Sequence, residues 1–432
     1  TVITVVLLLL RNVTVPALGF VGVSTITSII LVATGTFTLD DMAGFIKAGV
    51  SSVHGTAVLF IFSVLFFGVM TDAGMFDKII GALMKKVGNN VVGVTLMTCI
   101  IAIIGHLDGG GASTFCIVVP AMLPIYKKMN MRTTSLLRIA VLAMGVLNLM
   151  PWAGPTMRAA TVLGMEAGAL WNTIIPIQIF GIVLALAHAV LTGFQEKKRI
   201  AKLGDAAAEE EGKYDDSDSG EKDTSLARPK FFAFNVILTL AVIIVLVMDI
   251  FPAYYVFMVG CALGILVNYR GKKLHNSIIK SHASAGLSMA STILCAGVFL
   301  GVLSKSGIME KMAVMMANVI PTSLGKFLPV IIGILSVPLA LLFDTDSYFY
   351  GLLPVLVSVG NQFGVNPAHI AIAMVVCRNC ATFISPVAPA TYLGIGLAGV
   401  EIKDHIKYCF GWQWAVSIIC LVAGLILGVI NF

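Results

Sequence analysis

His106-Leu107-Asp108-Gly109-Gly110-Gly111-Ala112-Ser113-Thr114 stands in the middle of an apolar run over 91–126, and Asp344-Thr345-Asp346-Ser347-Tyr348 interrupts a second such run over 327–361. Two charged, glycine- or serine-bearing clusters placed deep in hydrophobic sequence read as the tips of re-entrant helical hairpins. Irregular backbone at membrane depth is tolerated only where protein buries it or where it lines a cavity. Ionisable residues there are costly and mark ion or substrate pathways.

The rest of the chain supplies the membrane. Of 432 residues, 58% are hydrophobic and 12% charged, with a mean hydropathy of +0.98. Soluble domains carry about 25% charge, so a soluble enzyme, a disordered tail protein and a nucleic-acid binder are all excluded. Apolar segments of spanning character run over 13–33, 54–71, 134–168, 172–194, 232–251, 253–269, 286–304, 367–400 and 409–431. Residues 1–10 are apolar but too short to span and read as the remainder of a truncated first helix. Two spans break at prolines: 134–168 at Pro151-Trp152-Ala153-Gly154-Pro155, and 367–400 at Pro386-Val387-Ala388-Pro389. The cysteines lie mostly in apolar stretches and read as small fillers, including the Cys377/Cys380 C-x-x-C.

Residues 195–230 read as a solvated, largely disordered linker, holding ten of the twenty-two acidic residues. On either side of it the motifs repeat. Gly74 and Gly307 sit in matching stretches 233 positions apart, Ser113 and Ser347 are 234 apart, and Pro155 and Pro389 are 234 apart. A common offset for three separate motifs argues for internal duplication.

With the hairpins counted as re-entrant, each half has about five spans, so the second half is inverted. Arg11, Lys85, Lys86, Lys127, Lys128, Arg132, Lys197, Lys198, Arg199, Arg270, Lys272, Lys273 and Lys280 then share one face, against Lys47, Lys305, Lys311 and Lys326 on the other. The positive-inside rule makes the first face cytoplasmic, with the linker inside and both termini outside. The expected fold is an all-α polytopic membrane protein of two inverted repeats, each of about five spans plus a hairpin, with broken helices meeting at the midplane as in secondary transporters. The expected divisions are 1–194 (1–90 and 91–194), 195–230, and 231–432 (231–326 and 327–432).

The candidate site follows from these breaks. Gly109, Gly110 and Gly111 let the backbone approach a ligand, and a helix starting after the tip, carrying Ser113 and Thr114, aims free N–H groups at it. Asp108, Asp344 and Asp346 are three of the twelve acids outside the linker and are assigned to metal or proton coupling, with His106 a further proton-handling candidate. Arg158 follows Pro155 and Thr156 in mid-span. Its planar guanidinium suits a carboxylate, so it is read as a substrate anchor, with a structural pair to Asp108 or another tip acid as the alternative. Asn148, Asn379, Pro389, Ser347 and Tyr348 complete the expected binding set. Arg378 either joins that set or braces its helix. Lys127, Lys128, Arg132 and Arg138 read as a solvated flank, with Arg138 snorkelling.

Four stretches carry a resemblance: His106 to Met131 (HLDGGGASTFCIVVPAMLPIYKKMNM), Asn148 to Met165 (NLMPWAGPTMRAATVLGM), Phe343 to Val355 (FDTDSYFYGLLPV) and Ile384 to Gly399 (ISPVAPATYLGIGLAG). The chain resembles the citrate–metal/proton symporter family (CitMHS) of the ion transporter superfamily, across both halves. The resemblance implies uptake of citrate as its complex with a divalent cation, Mg²⁺ or Ca²⁺, coupled to protons. It also implies a scaffold from the first three spans of each half, an elevator-type transport domain from the rest, a homodimer, and residence in a bacterial plasma membrane with no permanently bound cofactor. Sodium-binding members of the superfamily carry Ser-Asn-Thr at the tips, whereas these read Ala112-Ser113-Thr114 and Asp346-Ser347-Tyr348. A sodium-coupled or exchange carrier of another carboxylate on the same fold is the rival reading, and an ion channel the more distant one.

Overall fold

The computed structural model describes residues 14–85, 90–203, 225–248, 250–318 and 321–431, with positions 4 and 8. The expected truncated first helix, and residues 204–224 of the expected linker, lie almost wholly outside the described residues. Among the described residues every regular element is helical, as hydrocarbon requires of a chain that must satisfy its backbone within each segment. Among those residues seven helices are long and apolar enough to cross a membrane, and three shorter apolar ones cover Thr133–Leu147, Ala253–Asn268 and Leu328–Ala340.

The first half runs α1 (Pro16–Ala33), α2 (Leu39–Asp72), α3 (Met75–Met84), α4 (Val91–Gly105), α5 (Gly111–Lys128), α6 (Thr133–Leu147), α7 (Gly154–Leu163) and α8 (Ala167–Leu203). The second runs α9 (Phe232–Met248), α10 (Ala253–Asn268), α11 (Lys272–Lys305), α12 (Ile308–Ala317), α13 (Thr322–Gly325), α14 (Leu328–Ala340), α15 (Leu353–Gln362), α16 (Pro367–Asn379), α17 (Pro389–Ala398) and α18 (Ile402–Ile426). Several elements at matching places have equal lengths. α2 and α11 have 34 residues each, and α3, α12, α7 and α17 have ten each. Left-handed glycines end the same pairs, Gly74 with Gly307 and Gly164 with Gly399.

Three expectations are corrected. The spans expected at 54–71 and 286–304 are only the inner parts of α2 and α11. Asp40, Asp41 and Lys47 lower the hydropathy of the outer part of α2, yet a capping box holds its start: Thr38 Oγ1 accepts from Asp41 N–H at 3.1 Å while Asp41 Oδ2 accepts from Thr38 N–H at 2.9 Å. The linker does not begin at 195, because α8 continues to Leu203. Its Glu196, fully buried, accepts from Arg132 Nε and Ser135 Oγ, both at 2.7 Å. Arg138 does not snorkel to water. It is 2% exposed, donates to Thr192 and Gln195, and lies over the Tyr408 and Trp412 rings.

α2 and α11 pack along their lengths at the centre, with α10 against α2 and α1 against α11. Around them α4 lies against α6 and α8, and α14 against α16 and α18. The halves also exchange contacts: α5 packs on α17, and α7 on the π-helical turn Ser347–Leu352 that leads into α15. The hairpin of each half thereby meets the broken helix of the other.

Candidate functional site

At the first tip, a 3₁₀ turn over His106–Asp108 hands over to α5 through Gly109, whose φ of +71° suits glycine. Asp108 Oδ1 accepts from Gly110 N–H at 2.8 Å, and its Oδ2 accepts from Ser113 Oγ. Thr114 is fully buried and braces the turn from within, donating to Gly110 O at 2.7 Å and meeting His106 Nδ1 at 2.7 Å. His106 is itself fully buried and sets its ring edge-on to Phe383 at 5.3 Å. Gly111 is needed because a Cβ there would lie 2.4 Å from the Phe383 ring. Asp108, Gly109, Gly110 and Ser113 stay half-buried and hold the open side of the turn.

The second tip follows the same logic with different residues. Asp344 Oδ1 accepts from Asp346 and Ser347 N–H at 2.8 and 2.9 Å, and its Oδ2 accepts from Ser347 Oγ at 2.6 Å. This carboxylate caps the turn, while Asp346 projects away from it. Arg158 Nε donates to Asp346 Oδ1 at 2.7 Å, with side chains only 7% and 15% exposed. The guanidinium from the first break therefore already holds a carboxylate at the second tip.

The breaks are tied to the tips. Trp152 donates its indole N–H to Leu107 O at 2.8 Å and packs among Phe67, Phe257 and Trp171. In the other half Ser385 Oγ donates to Ala340 O at 2.5 Å, and Arg378 Nη2 to Phe343 O at 3.2 Å. The unwound backbones cross at Asn148 and Asn379, both buried, where Asn148 Nδ2 donates to Asn379 Oδ1 at 3.0 Å. Pro155 is buried in the first turn of α7, and Thr156 closes the break by donating to Leu149 O at 2.9 Å. Pro389 is exposed at the start of α17.

The expected residues thus gather at one place but divide into two sets. Asp108, Gly109, Gly110, Gly111, Ser113, Asp344, Asp346 and Arg158 are at the tips with some exposure or a partner across the halves. His106, Thr114, Thr156, Ser347 and Tyr348 point into the packing. Tyr348 is fully buried with its hydroxyl 2.7 Å from Ser336 Oγ, so it does not line the tip. Arg378 braces, lying over the Tyr348 ring at 5.2 Å. Trp152 and Ser385 are not singled out by the sequence pattern. An indole N–H between two prolines in apolar sequence needs an acceptor, and that was the available signal.

The profile of the citrate transporter family (CitMHS) matches residues 4–377. A citrate transporter of Bacillus subtilis is 31% identical over 393 residues, covering 91% of this chain and 90% of its own. A Mg(2+)/citrate complex secondary transporter of the same organism is 31% identical over 406 residues, covering 94% and 93%. In fold the chain is similar to the YdaH transporter of Alcanivorax borkumensis (TM-score 0.55, 12% identity, 91% and 90% covered). It is likewise similar to MtrF of Neisseria gonorrhoeae (TM-score 0.59, 14% identity, 91% and 83% covered). With a profile match over most of its length, relatives that are transporters rather than enzymes, and several apolar helices of spanning length, this multi-pass membrane protein belongs to the citrate transporter family.

Proposed function

We propose that the chain takes up citrate as its complex with Mg²⁺ or Ca²⁺, in symport with protons, by elevator-type alternating access. The observation that carries the reading is the Arg158–Asp346 pair. A substrate carboxylate that displaces Asp346 from the guanidinium frees the aspartate to meet the incoming metal or a proton. Asp108 and the glycine backbone at the facing tip complete the enclosure. Mg²⁺ asks for about six oxygens, and among the described residues no group of three or more His, Cys, Asp or Glu could hold a metal. The tips suit a cation that arrives already chelated by citrate.

Charge favours this stoichiometry. Citrate at minus three with a divalent cation carries one negative charge, whose inward movement against about 100 mV costs about 2.3 kcal/mol. One accompanying proton removes that opposition, and any further proton adds inward drive of the same size. The matched element lengths and the exchange of hairpin and break between halves support an inverted repeat, with α1–α3 and α9–α13 as scaffold and the hairpins and broken helices as the moving body. The distribution of basic residues supports a cytoplasmic 204–224 segment, and elevator carriers of this kind commonly pair as homodimers in the plasma membrane.

Radiolabelled citrate uptake into proteoliposomes tests the reading. Uptake is expected to need Mg²⁺ or Ca²⁺ and to follow a proton gradient. Uptake that follows sodium and ignores divalent ions supports the sodium-coupled rival instead.

A further inference from the structure

α2 and α11 cross so closely at one end that a Cβ on Gly49 would lie 2.7 Å from Gly301 Cα. Beside this crossing a cavity of about 450 Å³ opens between the central helices and the tip-bearing body, walled by Ser52, Thr161, Ser304, Lys305 and Asn361 among others. Among the described residues lining it none is acidic, and Lys305 is the one charged group. Lys305 and Ser304 are exposed. Thr161 is three residues from Arg158 on α7, about 4.5 Å along the helix axis. The cavity therefore reaches α7 about one turn from the backbone of Arg158.

The other end of the same helix pair is built differently. At the 233-residue offset Gly49 matches His282, Gly301 matches Gly68 and Lys305 matches Asp72. The His282 ring lies against Gly68, where a Cβ would be 2.5 Å from it, as Gly49 lies against Gly301. His282 Nε2 is 2.9 Å from Asp72 Oδ2. One end thus offers an open cavity with a lysine and serines among apolar side chains, whereas an imidazole and an acid occupy the matching place at the other.

We infer that the Lys305 cavity is an anion-capture vestibule, a second carboxylate site ahead of the tips that gathers the metal–citrate anion on the face from which it is taken up. The inference rests on the transport reading and adds a residue and a direction to it. A lone cation in a recessed wall raises the local concentration of an anion. Asp72 at the matching place on the opposite face disfavours recapture of an anion just released. Capture of this kind acts on KM and leaves the transport step alone.

The test is Mg–citrate uptake by the full chain in proteoliposomes, comparing wild type, Lys305→Arg and Lys305→Cys. Lys305→Cys is expected to raise KM roughly three- to tenfold at low salt with Vmax little changed, and the difference should shrink as salt shortens the screening length to about 3 Å near 1 M. A cationic methanethiosulfonate reagent should return KM towards wild type, and an anionic one should raise it further. Wild-type protein treated alongside accounts for the eight native cysteines. Lys305→Arg should match wild type. An unchanged KM in Lys305→Cys, or equal effects of the two reagents, overturns the vestibule while wild-type uptake leaves the transport reading standing. A wild-type protein that moves no citrate overturns the transport reading itself.

Discussion

Arg158 and Asp346, 188 positions apart, meet at 2.7 Å where the helix after the first proline break reaches the tip of the second hairpin. The contact joins the halves at the place where each is unwound. Removing one member of a largely buried ion pair leaves the other uncompensated, at about 3 kcal/mol. Arg158→Ala is expected to lower thermal stability in detergent by that order and to abolish uptake. Arg158→Lys keeps the charge but loses the planar fork, so it should insert normally while Vmax falls about tenfold or more. Wild-type uptake by Arg158→Ala contradicts the anchoring role.

Asp344 separates capping from charge. Its Oδ1 takes two backbone N–H groups, which an asparagine oxygen can also do. Asp344→Asn is therefore expected to melt within about 0.5 kcal/mol of wild type yet lose uptake, whereas Asp344→Ala loses both the cap, about 1 kcal/mol, and transport. Equal melting of the two variants would show that the cap does not hold the turn.

Trp152 latches the first break to the first tip through Leu107 O. Trp152→Phe keeps most of the ring packing and strands a carbonyl, a loss of about 1–2 kcal/mol. The expected signature is a lower melting temperature together with faster hydrogen exchange at Gly109 and Gly110, while α2 and α11 keep their protection.

Asn148 and Asn379 hold the crossing of the two breaks. Asn148→Ala removes one of the two donors to Asn379 Oδ1, leaving Thr382 Oγ1 at 3.1 Å, and Asn148→Asp sets two oxygens against each other. Loss of stability is expected to be about 1 kcal/mol for the first and larger for the second. Differential scanning fluorimetry on the purified variants gives the order directly, and a smaller loss in Asn148→Asp would contradict the assigned donor.

What the sequence discloses and what it hides follow from the range of the interactions. Gly109, Pro155 and Asp344 are legible because each is a local anomaly in apolar surroundings, and the tips and breaks stand where those anomalies place them. The outer part of α2 is hidden by Asp40, Asp41 and Lys47, although its Thr38–Asp41 capping box is a readable start signal. Arg138 reads as a surface cation because its partners Thr192, Gln195 and Trp412 lie far along the chain. Tyr348 reads as a lining residue because its neighbours are tip acids, but the π-helical turn rotates it towards Ser336. The choice of Asp346 rather than Asp108 as the partner of Arg158 depends on how the halves pack, which local pattern does not encode.

The central claim is that citrate and the divalent cation cross together as one bound species. Proteoliposomes with a metal indicator sealed inside, given labelled citrate and Mg²⁺ or Ca²⁺, report both fluxes in the same vesicles. The account predicts that citrate and metal appear at a fixed one-to-one ratio, that both stop in Arg158→Ala, and that chelating the external metal halts citrate. Citrate that accumulates inside with no matching rise in metal would contradict it.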